Sequence, residues 1–284
     1  MKMRRLVLVF LTASWSGMAD GAGQKAHVGD WAEWVNQYRA QHGCTGQVTT
    51  KDLLSHYLYS LARSAKGVLE IGTWRGCGST LVIAKGLIDG GNGANLTTFE
   101  VNAQRAQEAK SMTSPLPVTV VHAPTAPADD ILPQHAVMSG ALPPAMKESE
   151  RGQYLGWWKG EHAEALKLQQ AGIRPAIKPL CASREIDVAF LDGGEFYGRA
   201  DLQAVLRHCP TLRYIALDDT MTFKNDRAVK QLISAESGWM LCQEDRTDRH
   251  GWAIFARKDA SGLETTPCVV VSKARTHRLG ANRG

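Results

Sequence analysis

A glycine-rich segment followed by an acidic residue is the first part of the sequence that could hold a ligand. The segment EIGTWRGCGST, from Glu70 to Thr80, follows an apolar run and precedes a helical pattern. Glycines at such a turn permit positive φ and let the backbone approach a ligand closely. Glu100 stands 22 residues after Gly78, at the end of the next apolar run. Because a carboxylate there can accept hydrogen bonds from both hydroxyls of a ribose, the spacing favours a nucleoside-type ligand.

This segment does not fit the two phosphate-binding motifs that also place glycines before a helix. A P-loop requires Lys immediately before Ser79, where this chain has glycine. A dinucleotide fingerprint requires G-x-G-x-x-G, but the frame that starts at Gly76 ends on Leu81, and the frame that starts at Gly72 meets Trp74. The pattern that remains is acid-x-Gly-x-x-x-Gly, with a second acid one strand later.

Three aspartates end two later apolar runs. Asp192 lies at the end of IDVAFLDGG, and Asp218 and Asp219 end RYIALDD. Because neighbouring strand ends lie close together, three carboxylates placed there can meet on one hard cation such as Mg²⁺. The alternative is that Asp192 only positions a cofactor or substrate, and that Asp219 caps the next helix.

The elements that must position these residues alternate between strand and helix after two N-terminal helical patterns. The predicted strands are 67–72, 96–101, 117–123, 186–194 and 213–219, followed by the two arms of a hairpin in 239–258. This alternation predicts an α/β fold, with a doubly wound, Rossmann-like, mostly parallel seven-stranded sheet and a C-terminal antiparallel hairpin. In such a sheet ligands bind beyond the carboxyl ends of the strands, where the glycine turn and the acids are expected.

Four parts follow one another along the chain: a predicted signal peptide (1–22), N-terminal helices (23–66), the main domain (67–258) and a basic, flexible tail (259–284). Residues 123–185 interrupt the alternation, and an interruption of this length is typical of a functional insertion or lid. We expect its Pro- and Ala-rich first half to be a loop and its second half, over 147–171, to be helical.

The first 22 residues combine a basic start, an apolar stretch and small residues, which is the form of a secretory signal. A transit peptide or an amphipathic start would also fit. We expect the secretory pathway, the periplasm or an organelle lumen, with the cytoplasm as the alternative. The net charge of +5 falls to +2 when residues 1–19 are removed, because they hold three basic and no acidic residues. Without a basic stripe with interleaved aromatics, no nucleic-acid partner is expected.

Six cysteines are scattered along the 284 residues, and none forms a C-x-x-C pair. Because a chain of this length can build a core without disulfides, we expect most of them to be buried free thiols. No apolar run reaches the roughly 20 residues of a membrane-spanning helix, so the mature chain is not expected to insert stably into a membrane. The expected partners are a small-molecule acceptor and a second copy of the chain in a homodimer.

Four segments, EIGTWRGCGST, FEVN, VAFLDGGEFY and YIALDDT, occur in this order at the predicted strand ends. Together they resemble the class I S-adenosylmethionine-dependent methyltransferase superfamily, and within it the small-molecule O-methyltransferase-like branch. The resemblance covers about residues 50–258. It implies S-adenosyl-L-methionine as the cofactor and methyl transfer to an oxygen of a small molecule.

The resemblance also implies roles for individual residues. Gly72 and Gly76 would lie against the amino-acid part of the cofactor, Glu100 would hold the ribose hydroxyls and Val101 would flank the adenine. Trp74 stands where the family often has a central glycine, so it could cover the cofactor or fill its site. The predicted cofactor-binding residues are Glu70, Gly72, Thr73, Trp74, Gly76, Ser79, Glu100, Val101 and Asp192.

Methyltransferases of the catechol type place an Asp at the end of strand four and an acidic pair at the end of strand five. The resemblance therefore implies Asp192, Asp218 and Asp219 as ligands of Mg²⁺, which would lower the pKa of the acceptor hydroxyl. Asp192 and Glu195 are the predicted catalytic residues. Bacterial relatives often have His at the position of Glu195 as the suspected base, and a carboxylate in an apolar pocket could replace it.

Two other functions fit the same residues. One is a methyltransferase-like binding protein without catalysis, which Trp74, the missing His and the secretory address motivate. The other is a hydroxylase-like relative on the same fold. Tyr154, Trp157 and Trp158 in the insertion could form an aromatic wall for the acceptor, or simply the buried face of a helix.

Overall fold

The computed structural model describes residues 30–259. The predicted signal peptide, residues 1–22, lies outside the described residues, as does the predicted tail from residue 260 onward. Among the helices that the structure describes, none has the length and apolarity to cross a membrane.

Seven strands form one sheet in the order β3-β2-β1-β4-β5-β7-β6. Their bounds are β1 Val68–Ile71, β2 Leu96–Glu100, β3 Val118–His122, β4 Val188–Leu191, β5 Tyr214–Asp218, β6 Trp239–Asp245 and β7 Trp252–Arg257. Strands β1 to β5 pair in parallel, and β7 pairs antiparallel with both β5 and β6. The predicted doubly wound, mostly parallel sheet with a C-terminal hairpin is confirmed.

The strand order reverses between β1 and β4, which are direct neighbours with Ile71 beside Leu191. Every residue of both strands is buried, as expected for parallel strands with helices on both faces. The crevice beyond the carboxyl ends of strands at such a reversal is the usual ligand site of an α/β sheet. The sequence order thus brings the segments after Ile71 and after Leu191 to one place.

Helices cover both faces of the sheet. The helices that the structure describes are α1 Asp30–His42, α2 Leu53–Ser64, α3 Ser79–Gly90, α4 Ala103–Thr113, α5 Gln134–Ser139, α6 Arg151–Gln170, α7 Ile177–Ser183, α8 Gly198–His208 and α9 Asp226–Ile233. One core contains residues of α1, α2 and α3, while the other contains residues of α8 and α9. Helices α2 and α3 approach closely at Gly86, where a Cβ would lie 2.6 Å from the Tyr59 carbonyl oxygen.

The insertion differs from its prediction in its first half, which is not only a loop. It contains α5, and Leu132 and Val137 are buried there. They share a small core with Tyr154 and Trp158 of α6, and the Trp158 Nε1 donates to the Leu132 carbonyl oxygen over 2.6 Å. The sequence did not predict α5, because the apolar residues of this half are spaced irregularly among prolines and show no helical periodicity.

The expectation of mostly free cysteines is wrong. Cys44 is bonded to Cys77, and Cys181 is bonded to Cys209. No cysteine within residues 30–259 is a free thiol. The partners are 33 and 28 residues apart in sequence, so only the fold, and no spacing motif, brings them together.

Candidate active site

A cavity of about 540 Å³ opens at the carboxyl ends of β1, β2 and β4. Its volume lies within the roughly 300–1,000 Å³ that is usual for small-molecule sites. The predicted site residues that line it are Gly72, Thr73, Trp74, Ser79, Glu100, Val101, Asp192 and Glu195. Glu70 and Gly76 are not among the lining residues, although both were predicted to bind the cofactor.

The turn after β1 depends on glycine at one position above all. Gly72 has a φ of +94°, and a Cβ added there would lie 2.0 Å from the Asp192 carbonyl oxygen. The Gly72 amide also donates to the Phe99 carbonyl oxygen over 3.0 Å. Without a side chain, the end of β1 can lie directly against the end of β4. Gly76 instead faces α4, where a Cβ would meet the Thr113 side chain at 3.1 Å.

Glu70 supports the glycine turn from the protein interior and does not line the cavity. It is fully buried, and its two carboxylate oxygens accept hydrogen bonds from the hydroxyls of Ser79, over 2.6 Å, and Thr80, over 2.7 Å. Burial raises the pKa of Glu70, while these hydroxyl donors oppose the rise. The carboxylate therefore fixes the first turn of α3, from which Ser79 lines the cavity.

Glu100 ends β2 at the wall of the cavity. Its Oε1 accepts a hydrogen bond from the Asn102 amide over 2.9 Å. Burial raises the pKa of this carboxyl, and the Asn102 amide and the charge of Arg105 oppose the rise. This is the place at which the sequence predicts a ribose-binding acid.

Trp74 does not fill the cavity. It lines the wall with 52% of its surface exposed, and its indole is stacked under the Arg105 guanidinium, 3.4 Å from the ring centroid. Its φ of +53° is unusual for a side chain of this size. The indole is thus held toward α4.

A segment before α2 closes the turn from outside, and sequence reasoning missed it. Gly46, Gln47 and Val48 line the cavity, and a Cβ on Gly46 would lie 2.3 Å from the Gly78 Cα. The Cys44–Cys77 disulfide fastens this segment to the glycine turn. Arg39 of α1 bonds both sides, donating to the carbonyl oxygens of Cys77 and Val48 over 2.7 Å each.

The three predicted metal ligands lie together. Carboxylate oxygens of Asp192, Asp218 and Asp219 all lie within 4.8 Å of one another. Cationic side chains hold these oxygens. The Lys224 Nζ lies 2.6 Å from Asp192 Oδ1 and 2.7 Å from Asp219 Oδ2, while the Arg249 guanidinium pairs with Asp218.

The charges of this cluster, defined as the three aspartates with Lys224 and Arg249, offset one another. Burial raises the pKa of Asp192 to about 7, against the opposing effect of Lys224. Burial also favours the neutral form of Asp219, but the positive charges of Lys224, Arg249 and His250 together outweigh it, so the pKa of Asp219 is lowered. Because Mg²⁺ needs carboxylate oxygens at about 2.0–2.1 Å, the oxygens already held by Lys224 and Arg249 do not fit it.

Backbone strain is concentrated around the site. Within residues 30–259, the non-glycine residues with positive φ are Trp74, Asp219 and Arg249. The first lines the cavity, and the other two belong to the charge cluster. Such conformations cost about 1–3 kcal/mol each and tend to persist where function needs them.

Two acids on the far side of the cavity were missed by sequence reasoning. Glu161 of α6 accepts hydrogen bonds from the amides of Glu195, over 2.7 Å, and Phe196, over 3.1 Å. Asp201 of α8 accepts one from the Thr125 hydroxyl. Burial raises the pKa of both carboxyls to about 7. No motif marks them, since each is an ordinary acid within a helix.

Tyr154, Trp157 and Trp158 do not form a wall of the cavity. Tyr154 and Trp158 are buried in the small core of the insertion, and Trp157 is 48% exposed. None of the three is among the lining residues. The buried-face alternative therefore describes Tyr154 and Trp158.

No protein-family model and no curated protein matches this chain. Solved structures align with most of it. The SAH-bound methyltransferase PaMTH1 of Podospora anserina is 13% identical at a TM-score of 0.45, over 82% of this chain and 88% of its own. Cofactor-bound Rv0187 from MTB is 17% identical at 0.48, over 81% and 90%. The O-methyltransferase of Bacillus cereus in complex with SAH is 17% identical at 0.48, over 80% and 90%. Likeness at this level identifies no activity or substrate for this chain.

Proposed function

We propose that this chain is a methyltransferase that uses S-adenosyl-L-methionine to methylate an oxygen of a small molecule. One observation supports it above the others. A single cavity joins the glycine turn and Glu100 at one end to Asp192, Glu195 and Lys224 at the other. A nucleoside cofactor and an acceptor can therefore meet in it.

The cofactor end, lined by Gly72, Thr73, Ser79, Glu100 and Val101, suits a nucleoside with an amino-acid arm. The bare backbone at Gly72 permits close approach, and Glu100 presents acceptors for two vicinal hydroxyls. When bound, S-adenosyl-L-methionine supplies a methyl group, whose bond to sulfur breaks as a bond to the acceptor oxygen forms.

The acceptor end suits a hydroxyl group that must lose its proton. We assign proton acceptance to Glu195, whose Oε1 also accepts a hydrogen bond from the Lys224 amide over 3.3 Å. Burial raises the pKa of this carboxyl, as a general base near neutral pH requires. The Lys224 ammonium stabilises the resulting oxyanion, and Asp192 orients that ammonium.

Isothermal titration with S-adenosylhomocysteine tests the cofactor end. We expect micromolar binding by the wild type and a loss of about 10- to 100-fold in Glu100→Gln, since removing the partner of a buried hydrogen bond costs about 1–3 kcal/mol. Glu108→Gln, which alters a partly exposed acid outside the cavity that is paired with Arg75 over 3.1 Å, is the matched control. No binding by the wild type at millimolar ligand would overturn the proposal.

We also propose an oxidising compartment, in line with the predicted signal peptide. The Cys44–Cys77 and Cys181–Cys209 disulfides support it, because structural disulfides persist in secreted, periplasmic and lumenal proteins and are rare in the cytosol. Protein isolated from its source and denatured in maleimide without reductant should leave Cys44, Cys77, Cys181 and Cys209 unlabelled. Labelling of these four cysteines would contradict the proposed compartment.

A further inference from the structure

We infer that Lys224 occupies the position of a divalent cation, so that the site holds an acceptor oxyanion on an ammonium group and works without a metal. The inference rests on the proposed function for the identity of the oxyanion. Its structural part, that the ammonium and a metal ion exclude each other, can be tested without the reaction.

The ammonium lies where a shared cation would lie. The Lys224 Nζ contacts Asp192 and Asp219 at 2.6 and 2.7 Å. A Mg²⁺ ion placed about 2.1 Å from the same two oxygens would overlap the ammonium and be repelled by its charge. The third carboxylate, Asp218, is paired with Arg249. A metal ion can therefore bind to these carboxylates only after the Lys224 ammonium or the Arg249 guanidinium has moved away.

The backbone that carries Lys224 is held on both sides. Asn225, the next residue, is fully buried, and its Nδ2 donates to the carbonyl oxygens of Leu191, over 3.0 Å, and Asp218, over 2.6 Å. This side chain ties together the ends of β4 and β5. On the other side, a Cβ on Gly198 would lie 1.7 Å from the Lys224 carbonyl oxygen, so the two backbones are in contact. The anchor of the lysine is thus fixed between two strand ends.

The remaining donor of the ammonium is available to the cavity. A lysine ammonium has three N–H donors, and Asp192 and Asp219 take two of them. No other acceptor contacts the Nζ among residues 30–259. Because Lys224 lines the cavity with only 12% of its side chain exposed, an oxygen that enters beside Asp192 meets a desolvated positive charge. Such a charge favours an oxyanion over a neutral hydroxyl.

Titration with Mn²⁺ followed by electron paramagnetic resonance tests the exclusion. We expect no bound Mn²⁺ in the wild type below about 1 mM, since the oxygens are held. Lys224→Ala should bind one Mn²⁺ at least tenfold more tightly, and adding Asp192→Asn should remove that binding. Lys224→Arg retains the charge and should bind none. Lys230→Ala, an exposed lysine paired with Asp226, is the matched control.

Two results would overturn the inference. One is a stoichiometric Mn²⁺ site in the wild type that Asp192→Asn removes, and this measurement does not depend on any lysine variant folding. The other is a folded Lys224→Ala protein, verified by far-ultraviolet circular dichroism, that still binds no Mn²⁺. Because these readouts need neither cofactor nor acceptor, they stand apart from the failure of the proposed methyl transfer.

Measurements of enzymatic turnover provide a second test of the inference. Wild-type activity should be unchanged by EDTA, and Lys224→Ala should lower kcat by about 100-fold or more, the usual loss when a donor to a developing oxyanion is removed. Loss of wild-type activity in EDTA, restored by Mg²⁺, would contradict the inference. It would also return the three aspartates to the role of metal ligands.

Discussion

The two ends of the cavity are built by different means. The cofactor end is made of backbone: a glycine turn pinned by Glu70 and closed by a segment that a disulfide fastens to it. The acceptor end is made of charged side chains, among them Glu161, Asp192, Glu195, Asp201 and Lys224. Shape is fixed at the first end and charge at the second. The cofactor end should therefore be sensitive to added side-chain volume and to reduction of its disulfide, and the acceptor end to changes of charge and of pH.

The two ends meet at Gly72, so the largest effect is expected there. Gly72→Ala would place a Cβ 2.0 Å from the Asp192 carbonyl oxygen at a φ of +94°. We expect a loss of about 4 kcal/mol or more in the free energy of unfolding, with no measurable binding of S-adenosylhomocysteine. Denaturant titration and calorimetry measure the two effects.

Gly91→Ala is the control for backbone strain alone. Gly91 has a φ of +62°, but a Cβ there would meet nothing within 4 Å. It should cost about 1–2 kcal/mol, the usual penalty for a side chain in the left-handed region, and leave binding unchanged. Equal losses in the two variants would show that contact between β1 and β4 is not what requires glycine.

The Cys44–Cys77 and Cys181–Cys209 disulfides should separate stability from cofactor binding. Removing either pair should cost about 3–4 kcal/mol, because the closed loops are of similar length, with separations of 33 and 28 residues. Cys44→Ala/Cys77→Ala should also weaken S-adenosylhomocysteine binding by about tenfold, because it frees the segment that holds Gly46 on the turn. Cys181→Ala/Cys209→Ala should not. A similar loss of affinity in both double variants would mean that the Cys44–Cys77 disulfide has no specific effect on the cofactor end.

Charge at the acceptor end should make stability depend on pH. The pKa of Asp201 is about 7 in the folded protein, against about 3.9 when unfolded. The folded state therefore keeps a proton that the unfolded state has lost, and the free energy of unfolding falls as pH rises from about 4 to about 7. Asp201→Asn keeps an oxygen for the Thr125 hydroxyl and does not titrate. It should be more stable than the wild type by about 2–4 kcal/mol at pH 8.

Denaturant titrations at pH 5 and pH 8 measure this difference. At pH 5 the gain should be smaller, about 1–1.5 kcal/mol, because folded Asp201 then keeps its proton while the unfolded chain has already lost it above a pKa of about 3.9. Asp129→Asn, at an exposed position, keeps Asp201 and should therefore lose as much stability between pH 5 and pH 8 as the wild type does. If Asp201→Asn gains the same stability at pH 5 and at pH 8, the gain comes from packing rather than from ionisation.

The same contrast explains what the sequence could predict. The seven strands and the place of Glu100 follow from contiguous patterns: apolar runs, glycines and the residue that ends each run. The acceptor end depends on pairs far apart in sequence, such as Thr125 with Asp201, separated by 76 residues, and Glu161 with Glu195, separated by 34. Nothing local distinguishes such an acid from one on the surface.

The three aspartates show the limit most sharply. Their positions at strand ends predicted that they would meet, and they do. The pattern could not indicate that Lys224, 32 residues after Asp192, would enter between them. The chemistry of the cluster depends on this one side chain, whose backbone is held by the packing of Asn225 and Gly198.

The smallest effect is expected at Trp74, and it tests the hypothesis of an inactive binding protein. Trp74→Gly would lose the stack with Arg105, worth about 0.5–1 kcal/mol at an exposed site. It would also relieve the strain of a φ of +53°, about 1–2 kcal/mol. Because these terms offset one another, the free energy of unfolding should change by less than about 1 kcal/mol.

Cofactor affinity decides the role of Trp74. Since the indole is half exposed and held on Arg105, Trp74→Gly should change the affinity for S-adenosylhomocysteine less than about threefold. Trp157, a similarly exposed tryptophan on α6 outside the cavity, supplies the control. Trp157→Ala is used rather than Trp157→Gly, because glycine within a helix loses more conformational entropy on folding and costs about 0.5–1 kcal/mol. A gain of tenfold or more in Trp74→Gly alone would mean that the indole competes for the adenosine site. The cofactor end would then exclude S-adenosylmethionine rather than bind it, as the hypothesis of an inactive binding protein requires.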